Sequence, residues 1–280
     1  MSVVPDIELH DGVKIPQLGF GVFQVPLDET KAAVRSAIEA GYRHIDTAAI
    51  YGNEEGVGQA IAESGVPRDE LFIVTKLWNE AQGYDSTLRA FDESLGKLGI
   101  DVLDLYLIHW PSPHRNAYVD TWKAFEKLHK DGRIRSIGVS NFHAEHLDRL
   151  VQETELRPTI NQIELHPRLP QQELRLANAK YDIVTEAWSP LARAAEKETG
   201  LFDEPALKEI SEKHGKTIAQ VVLRWHIQLG NVVIPKSVKP ARIAENIDVF
   251  DFALDEADLA AIAKLETGDR VGPNPATATF

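Results

Sequence analysis

Eight short apolar runs recur along the chain, and stretches with helical spacing lie between them. This alternation limits the fold more than any other feature. The runs cover residues 18–23, 44–47, 71–77, 103–109, 134–140, 159–165, 183–188 and 232–235. Apolar residues three and four apart predict helices over 29–40, 54–64, 86–98, 118–130, 144–152, 171–179 and 217–229, with another over 255–265 after the last run. Several runs are continuously apolar, as in Phe72-Ile73-Val74 and Val232-Val233-Ile234, which is how strands covered on both faces read. Eight such repeats imply an α/β fold, a closed parallel (β/α)8 TIM barrel with helices outside. A doubly wound open sheet is the rival. It would present a glycine-rich fingerprint at its first strand–helix turn, and Gly19-Phe20-Gly21 does not extend into one. Residues 7–10 and 13–15 flank Asp11-Gly12 and predict an N-terminal β-hairpin. No Ser/Gly-rich linker divides the chain, so residues 1–280 are expected to form a single barrel domain, with a loop-like tail over 268–280.

Chemistry gathers where the runs end. Asp46 closes the second, Lys76 the third and His109 the fourth, and Tyr51 lies in the loop after the second. Asn53 is placed to cap the helix that begins at Glu54. In a barrel of this class the active site sits on the face where strands end, and neighbouring strands are about 4.8 Å apart, so these side chains can converge. A tyrosine titrates near 10, too high for efficient proton donation at neutrality. An ammonium about 4 Å away stabilises phenolate by about 4 kcal/mol at an effective dielectric near 20, and so is expected to lower the phenol toward neutrality. That lowering is an upper bound: Asp46 would keep Lys76 charged and oriented but would cancel part of the shift, and His109 could donate to a carbonyl oxygen. Taken singly, a Lys–Asp pair in a barrel is commonly structural and a loop tyrosine commonly packs. Their joint placement on consecutive strand ends is what points to carbonyl chemistry.

Composition excludes several classes. The net charge of −13 argues against a nucleic-acid or anionic-membrane surface, so an anionic ligand would need a local basic patch. There is no cysteine, hence no disulfide, thiolate metal site or thiol nucleophile. Residues 1–11 include several polar side chains, so no signal peptide is expected, and no run reaches membrane length. A cytoplasmic enzyme is the expectation.

Longer stretches then carry a resemblance. Gly41-Tyr42-Arg43-His44-Ile45-Asp46-Thr47-Ala48 with Tyr51-Gly52-Asn53-Glu54 resembles the first signature of the aldo-keto reductase family. Ile137-Gly138-Val139-Ser140-Asn141-Phe142 and Ile234-Pro235-Lys236-Ser237, continued by Arg242-Ile243-Ala244-Glu245-Asn246, resemble two more. The similarity spans essentially the whole chain. The compact length and Val271-Gly272-Pro273 resemble the bacterial branch that includes 2,5-diketo-gluconate reductases. The resemblance implies a monomeric NADP(H)-dependent reductase acting on a small-molecule carbonyl substrate, without a metal. Tyr51 would be the general acid, Lys76 would depress its pKa, Asp46 would hold Lys76, and His109 would orient the carbonyl.

Further residues follow from the same resemblance. Ser140, Asn141 and Gln162 would hold the nicotinamide carboxamide, Trp188 would stack on its ring, and Ser189 and Leu191 would continue the cofactor cradle. Lys236, Ser237, Val238 and Arg242 would clamp the phosphates, and Glu245 and Asn246 would contact adenine. Arg242 with Lys236 supplies two cations for a 2′-phosphate, which favours NADP(H) over NAD(H), with dual use left open. Phe23, Ile50, Trp78, Asn79, His109 and Trp110 would line the substrate pocket, which the C-terminal loop would close. Gln24 stands where many animal relatives carry lysine. The charged stretch 193–200 is either a flap over the cofactor or a solvated loop.

Other signals read as bland. His143 and His146 have metal-like spacing but no third ligand nearby, so a surface pair is expected. Asp101 and Asp104 read as strand entry and helix capping. Two competing functions stay open: a Schiff-base lyase using Lys76, which needs that amine deprotonated, and a nucleotide-sensing interaction module on the same barrel.

Overall fold

The computed structural model describes residues 4–194 and 200–280. It opens with the expected hairpin, β1 (Asp6–Glu8) antiparallel to β2 (Lys14–Pro16), with Ile7 opposite Ile15. Leu9 N–H donates to the Val13 carbonyl at 2.8 Å, which leaves a three-residue loop. Gly12 adopts φ 82° there, the left-handed conformation that the Asp-Gly pair signals.

Eight parallel strands follow in chain order: β3 (Phe20–Gly21), β4 (His44–Asp46), β5 (Phe72–Leu77), β6 (Leu103–Ile108), β7 (Ile134–Ser140), β8 (Ile160–Glu164), β9 (Val184–Trp188) and β10 (Val232–Val233). Each pairs with the next. Leu18 also bridges Val233 in parallel, and Gly19 N–H donates to the Val233 carbonyl at 2.9 Å. The first and last strands are therefore joined, and the sheet curls into a TIM-barrel-like fold. β3 and β10 are shorter than the apolar runs that predict them. Pro235 lacks the N–H that a continuing strand would donate, and the ladder ends before it.

The helices are α1 (Leu27–Ala40), α2 (Glu54–Glu63), α3 (Tyr84–Leu98), α4 (Tyr118–Lys130), α5 (Ala144–Glu153), α6 (Gln172–Lys180), α7 (Pro205–His214), α8 (Ile218–Gln228), α9 (Pro240–Ile247) and α10 (Glu256–Ala263). Helix α7 lies outside the periodic patterns read from the sequence. Its signals are local: Pro205 in the first turn and left-handed Gly215 after the last. None of the described helices is long and apolar enough to cross a membrane.

Two apolar clusters result. The larger lies between strands and helices and includes Trp122, Phe125 and Tyr106. The smaller gathers Leu9 and Ile15 of the hairpin with Phe72, Val74, Leu105, Leu107, Ile160 and Val232. The hairpin thus plugs one end of the sheet with apolar side chains, and a further hydrogen bond joins Ser136 Oγ to Asp11 Oδ2 at 2.8 Å. Polar side chains are left for the other end.

Three expectations are corrected. Asn53 precedes α2 but its side chain does not cap it. It donates to the carbonyls of Val22 and Val25 at 3.0 and 3.1 Å and accepts from Thr47 Oγ at 2.8 Å. It ties the loops after β3 and β4 together, and Tyr51 sits in the second of these. Replacing Asn53 with alanine is expected to cost about 3 kcal/mol, since three buried partners lose their mate. Urea denaturation measures this, and a loss under about 1 kcal/mol would contradict it. His143 and His146 are not a surface pair: His146 is buried, and its Nδ1 accepts from the His143 backbone N–H at 3.0 Å, closing the start of α5. Asp104 caps no helix. It is buried within β6, where its carboxylate accepts from Arg68 at 2.5 Å, Arg135 at 2.7 Å and the Ile73 N–H at 2.9 Å.

Candidate active site

Successive strand side chains point to opposite faces, so alternate residues share the interior of the curled sheet. Apolar Val74, Leu107 and Ile160 lie in the interior cluster. Two residues from Val74 and Ile160, on the same faces, stand Lys76 and Gln162. Asp46, two residues beyond His44, joins them as a buried polar layer above the plug.

Lys76 is fully buried. Its Nζ donates to Asp46 Oδ1 at 2.6 Å and to the Thr47 carbonyl at 2.9 Å. The same Nζ lies 5.2 Å from the centre of the Tyr51 ring. Tyr51 follows β4 in a 3-10 turn, Ala49–Tyr51, and its ring meets His109 edge-on at 5.7 Å. The four residues are thus together, as their strand-end spacing predicts.

Charge is distributed unevenly among them. Burial pulls the Lys76 ammonium down, but Asp46 and Tyr51 outweigh it, and the net direction is up; Lys76 stays charged. Burial holds His109 well below the ordinary histidine range, and Lys76 lowers it further, so the ring is neutral. For Tyr51 the expected net lowering is not found. Burial raises the phenol above its usual value, Lys76 draws it back, and Asp46 raises it. Removing a phenolate from water costs more than one partly neutralised ammonium returns.

One cavity of about 630 Å³ joins these groups to two sets of walls. On one side stand Phe23, Ile50, Trp78 and Trp110, as expected. Asn79 is not on that wall. It is buried and donates to the Phe280 carbonyl at 3.0 Å, so it anchors the tail. Phe280 stacks on Trp78 at 5.9 Å and meets Trp110 edge-on at 5.2 Å, so the tail supplies a wall through a residue the sequence reading did not name. The tail is also fastened at Glu164, a buried carboxylate that accepts from the backbone N–H groups of Val271 and Gly272 at 2.5 and 3.3 Å. A methyl group at Gly272 would collide with the Trp188 ring, so only glycine lets the tail pass this close.

On the other side stand Ser140, Asn141, Gln162, Trp188, Ser189, Leu191 and Lys236. Asn141 and Ser189, which directly follow β7 and β9, adopt φ of 63° and 47°. Such backbone persists only where neighbours hold it. Asn141 donates to the His109 carbonyl and to Ser140 Oγ, both at 3.0 Å, and accepts from Trp188 Nε1 at 2.9 Å. Trp188 is thereby fixed against the residues at the end of β7. Ser237, Val238, Arg242, Glu245 and Asn246 lie beyond the cavity. Ser237 and Val238 follow β10, and the other three sit on α9, where Arg242 is exposed and Asn246 buried. Glu245 accepts from Thr217 Oγ at 2.8 Å. Arg193 reaches across the groove to Gln24 Oε1 at 2.7 Å. Most of the expected flap, residues 195–199, lies outside the described residues.

Glu186 was also missed. It is fully buried on β9, and Gln162 Nε2 donates both to Glu186 Oε2 at 3.0 Å and to Asp46 Oδ2 at 2.8 Å. Its signal was available: a carboxylate inside the run Val184–Trp188, two residues before Trp188 and hence on its face. Among the described residues no cluster of three or more His, Asp or Glu side chains could hold a metal ion.

Residues 17–267 match the model of the aldo/keto reductase family. An aldo-keto reductase of Mycolicibacterium smegmatis is 61% identical over 276 residues, covering 99% of this chain and 98% of that relative. A glyoxal reductase of Bacillus subtilis is 54% identical over 98% of this chain and 97% of its own length. Among solved structures, a mutant of Gox0644 in complex with NADPH is 49% identical with a TM-score of 0.94, covering 100% of both chains. The chain belongs to the aldo/keto reductase family.

Proposed function

We propose that this chain is an NADPH-dependent carbonyl reductase, acting as one barrel domain, that converts aldehydes or ketones to alcohols. A single observation carries the reading: a buried, charge-paired Lys76 backs Tyr51, which together with neutral His109 lines a cavity that runs on to Trp188 and Lys236. The cofactor is consistent with what lines that cavity. Trp188 presents an indole held by Asn141, and Ser140, Asn141 and Gln162 offer polar atoms beside it. Lys236 provides a cation at the far end of the groove, and the exposed Arg242 lies on the helix beyond it. NADPH, when bound, supplies hydride to the carbonyl carbon.

The side chains do the rest. Tyr51 donates its phenolic proton to the carbonyl oxygen as negative charge builds there. Lys76 lowers the cost of the phenolate left behind, and Asp46 keeps Lys76 oriented. His109 is neutral, and among the described residues its Nδ1 has no hydrogen-bond partner; with its proton on Nε2 the ring can donate to the same oxygen. Phe23, Trp78, Trp110 and Phe280 exclude water from the reacting centre. The small aromatic enclosure and the glyoxal reductase among the relatives favour compact α-dicarbonyl compounds within the carbonyl class. The C-terminal segment, fastened at Glu164 and Asn79, acts as the substrate loop. A Schiff-base role for Lys76 conflicts with its burial against Asp46, which holds the amine protonated.

NADPH oxidation measured over aldehydes, α-dicarbonyls, keto esters and keto sugar acids tests the activity; no oxidation with any class would overturn it. Arg242 is assigned to the 2′-phosphate. Arg242→Ala should weaken NADPH binding about 10- to 100-fold, the range expected for one charge-assisted pair, and leave NADH within about twofold. Fluorescence titration with each cofactor reads this directly, and equal losses would reject the assignment.

A further inference from the structure

Beneath the Lys76–Asp46 pair lies a second buried titratable pair that proton donation by Tyr51 does not itself use. Glu186 Oε1 on β9 and His44 Nε2 on β4 are 3.5 Å apart, both side chains fully buried. Among the described residues, neither atom has any other hydrogen-bond partner. The remaining atoms of the two groups are committed. Glu186 Oε2 accepts from Gln162 Nε2 at 3.0 Å, and His44 Nδ1 lies 3.3 Å from the Pro16 carbonyl, which can only accept. The His44 proton therefore sits on Nδ1, and Nε2 is a bare lone pair facing a carboxyl oxygen. Gly19 leaves room for the ring, since a methyl group there would strike it. One proton placed between Oε1 and Nε2 satisfies both orphaned atoms at once.

We propose that Glu186 holds this proton as a neutral carboxylic acid donating to His44, and that doing so makes Glu186 a positioning residue that sets the acidity of Tyr51. With the proton in place, the layer holds Asp46 and Lys76 as its only charges, and they cancel. Without it, an uncompensated carboxylate sits beside Asp46, joined to it through the two N–H groups of Gln162. The groups that face Glu186 are His44 and Asp46 from β4, Lys76 from β5 and Gln162 from β8; its β10 neighbours, Val232 and Val233, do not titrate. Burial, reinforced by Asp46 and opposed by Gln162 and Lys76, raises the Glu186 carboxyl to about 8, and burial lowers His44 to about 4. Both directions put the proton on Glu186 at neutral pH. An ionised Glu186 would raise the Tyr51 phenol and weaken it as an acid.

The proposal rests on the assignment of Tyr51 as proton donor. Glu186→Gln mimics the neutral acid: its carbonyl accepts from Gln162 and its amide donates to His44. In the wild type, kcat for carbonyl reduction should fall about threefold or more as pH rises through about 8. In E186Q that limb should vanish while kcat at pH 6.5 stays within about threefold of wild type. Infrared spectra of the wild type should show a protonated-carboxyl C=O band at pH 6.5 that is lost by pH 9.5 and is absent from E186Q. The wild-type spectra do not depend on the variant folding. No such band in the wild type, or identical pH profiles for both proteins, would overturn the proposal. Failure of the Tyr51 assignment is distinguishable, because it would appear as full turnover in Tyr51→Phe with the infrared band unchanged.

Discussion

Replacing Tyr51 with phenylalanine is expected to reduce kcat for carbonyl reduction by about 10²- to 10⁴-fold, the range a positioned general acid contributes. The change removes one oxygen and little else. The ring keeps its contacts with Phe23 at 5.0 Å and His109 at 5.7 Å, so the cavity should hold its shape. NADPH affinity should stay within about twofold, because our reading places the cofactor against Trp188, Ser140 and Lys236. The wild-type pH dependence should agree. Burial raises the phenol, so Tyr51 remains protonated and able to donate across the neutral range. Steady-state rates with a reactive aldehyde, set beside NADPH titration, check both halves. Turnover near the wild-type level would remove Tyr51 from the role of acid, and a parallel loss of NADPH affinity would mean the substitution disturbed the groove.

The barrel-like α/β fold of eight parallel strands was legible because covered strands advertise themselves. Runs such as Phe72-Ile73-Val74 are apolar at every position, and the strands they form are buried throughout. Lys76 and Asp46 were legible for a related reason: a lysine or aspartate closing such a run has nowhere to go but the strand mouth. What stayed hidden depends on distance in the chain. Phe280 reaches Trp78 only because the tail returns across the strand ends, and no local pattern reports that. The role of Asn53 was misread because a cap-like position says nothing about whether a closer set of acceptors is available, here the carbonyls of Val22 and Val25. The acidity of Tyr51 was misread for an energetic reason. A pairwise Coulomb estimate counts Lys76 but not the water that burial strips from the phenolate. Glu186 alone was within reach, since the two-residue period that places Trp188 places it too.

Lys76→Met is expected to cost more than any other single change at the centre, because it removes one charge from a buried pair. Lys76 is fully buried with Nζ 2.6 Å from Asp46, and methionine nearly matches its length. The side chain fits, but among the described residues Asp46 keeps only Gln162 as a side-chain hydrogen-bond partner and no counter-charge. Breaking a buried pair in this way costs about 3–5 kcal/mol. Turnover should fall as well, since nothing then offsets the phenolate left on Tyr51. The two losses are separable. In Lys76→Met/Asp46→Asn both charges are gone and an amide can still meet Gln162, so stability should return to within about 1–2 kcal/mol of wild type while activity does not return. The wild-type protein supplies a further check on sign. Asp46 raises the Lys76 ammonium above its ordinary value despite burial, so the stabilisation from the pair is complete below the unfolded lysine value near 10.4 and is lost as pH rises through the folded one. Urea denaturation of the single and double variants at pH 7, and of the wild type above pH 10, tests these expectations together. A double variant as unstable as Lys76→Met would mean that lost packing, not an unpaired Asp46, sets the cost.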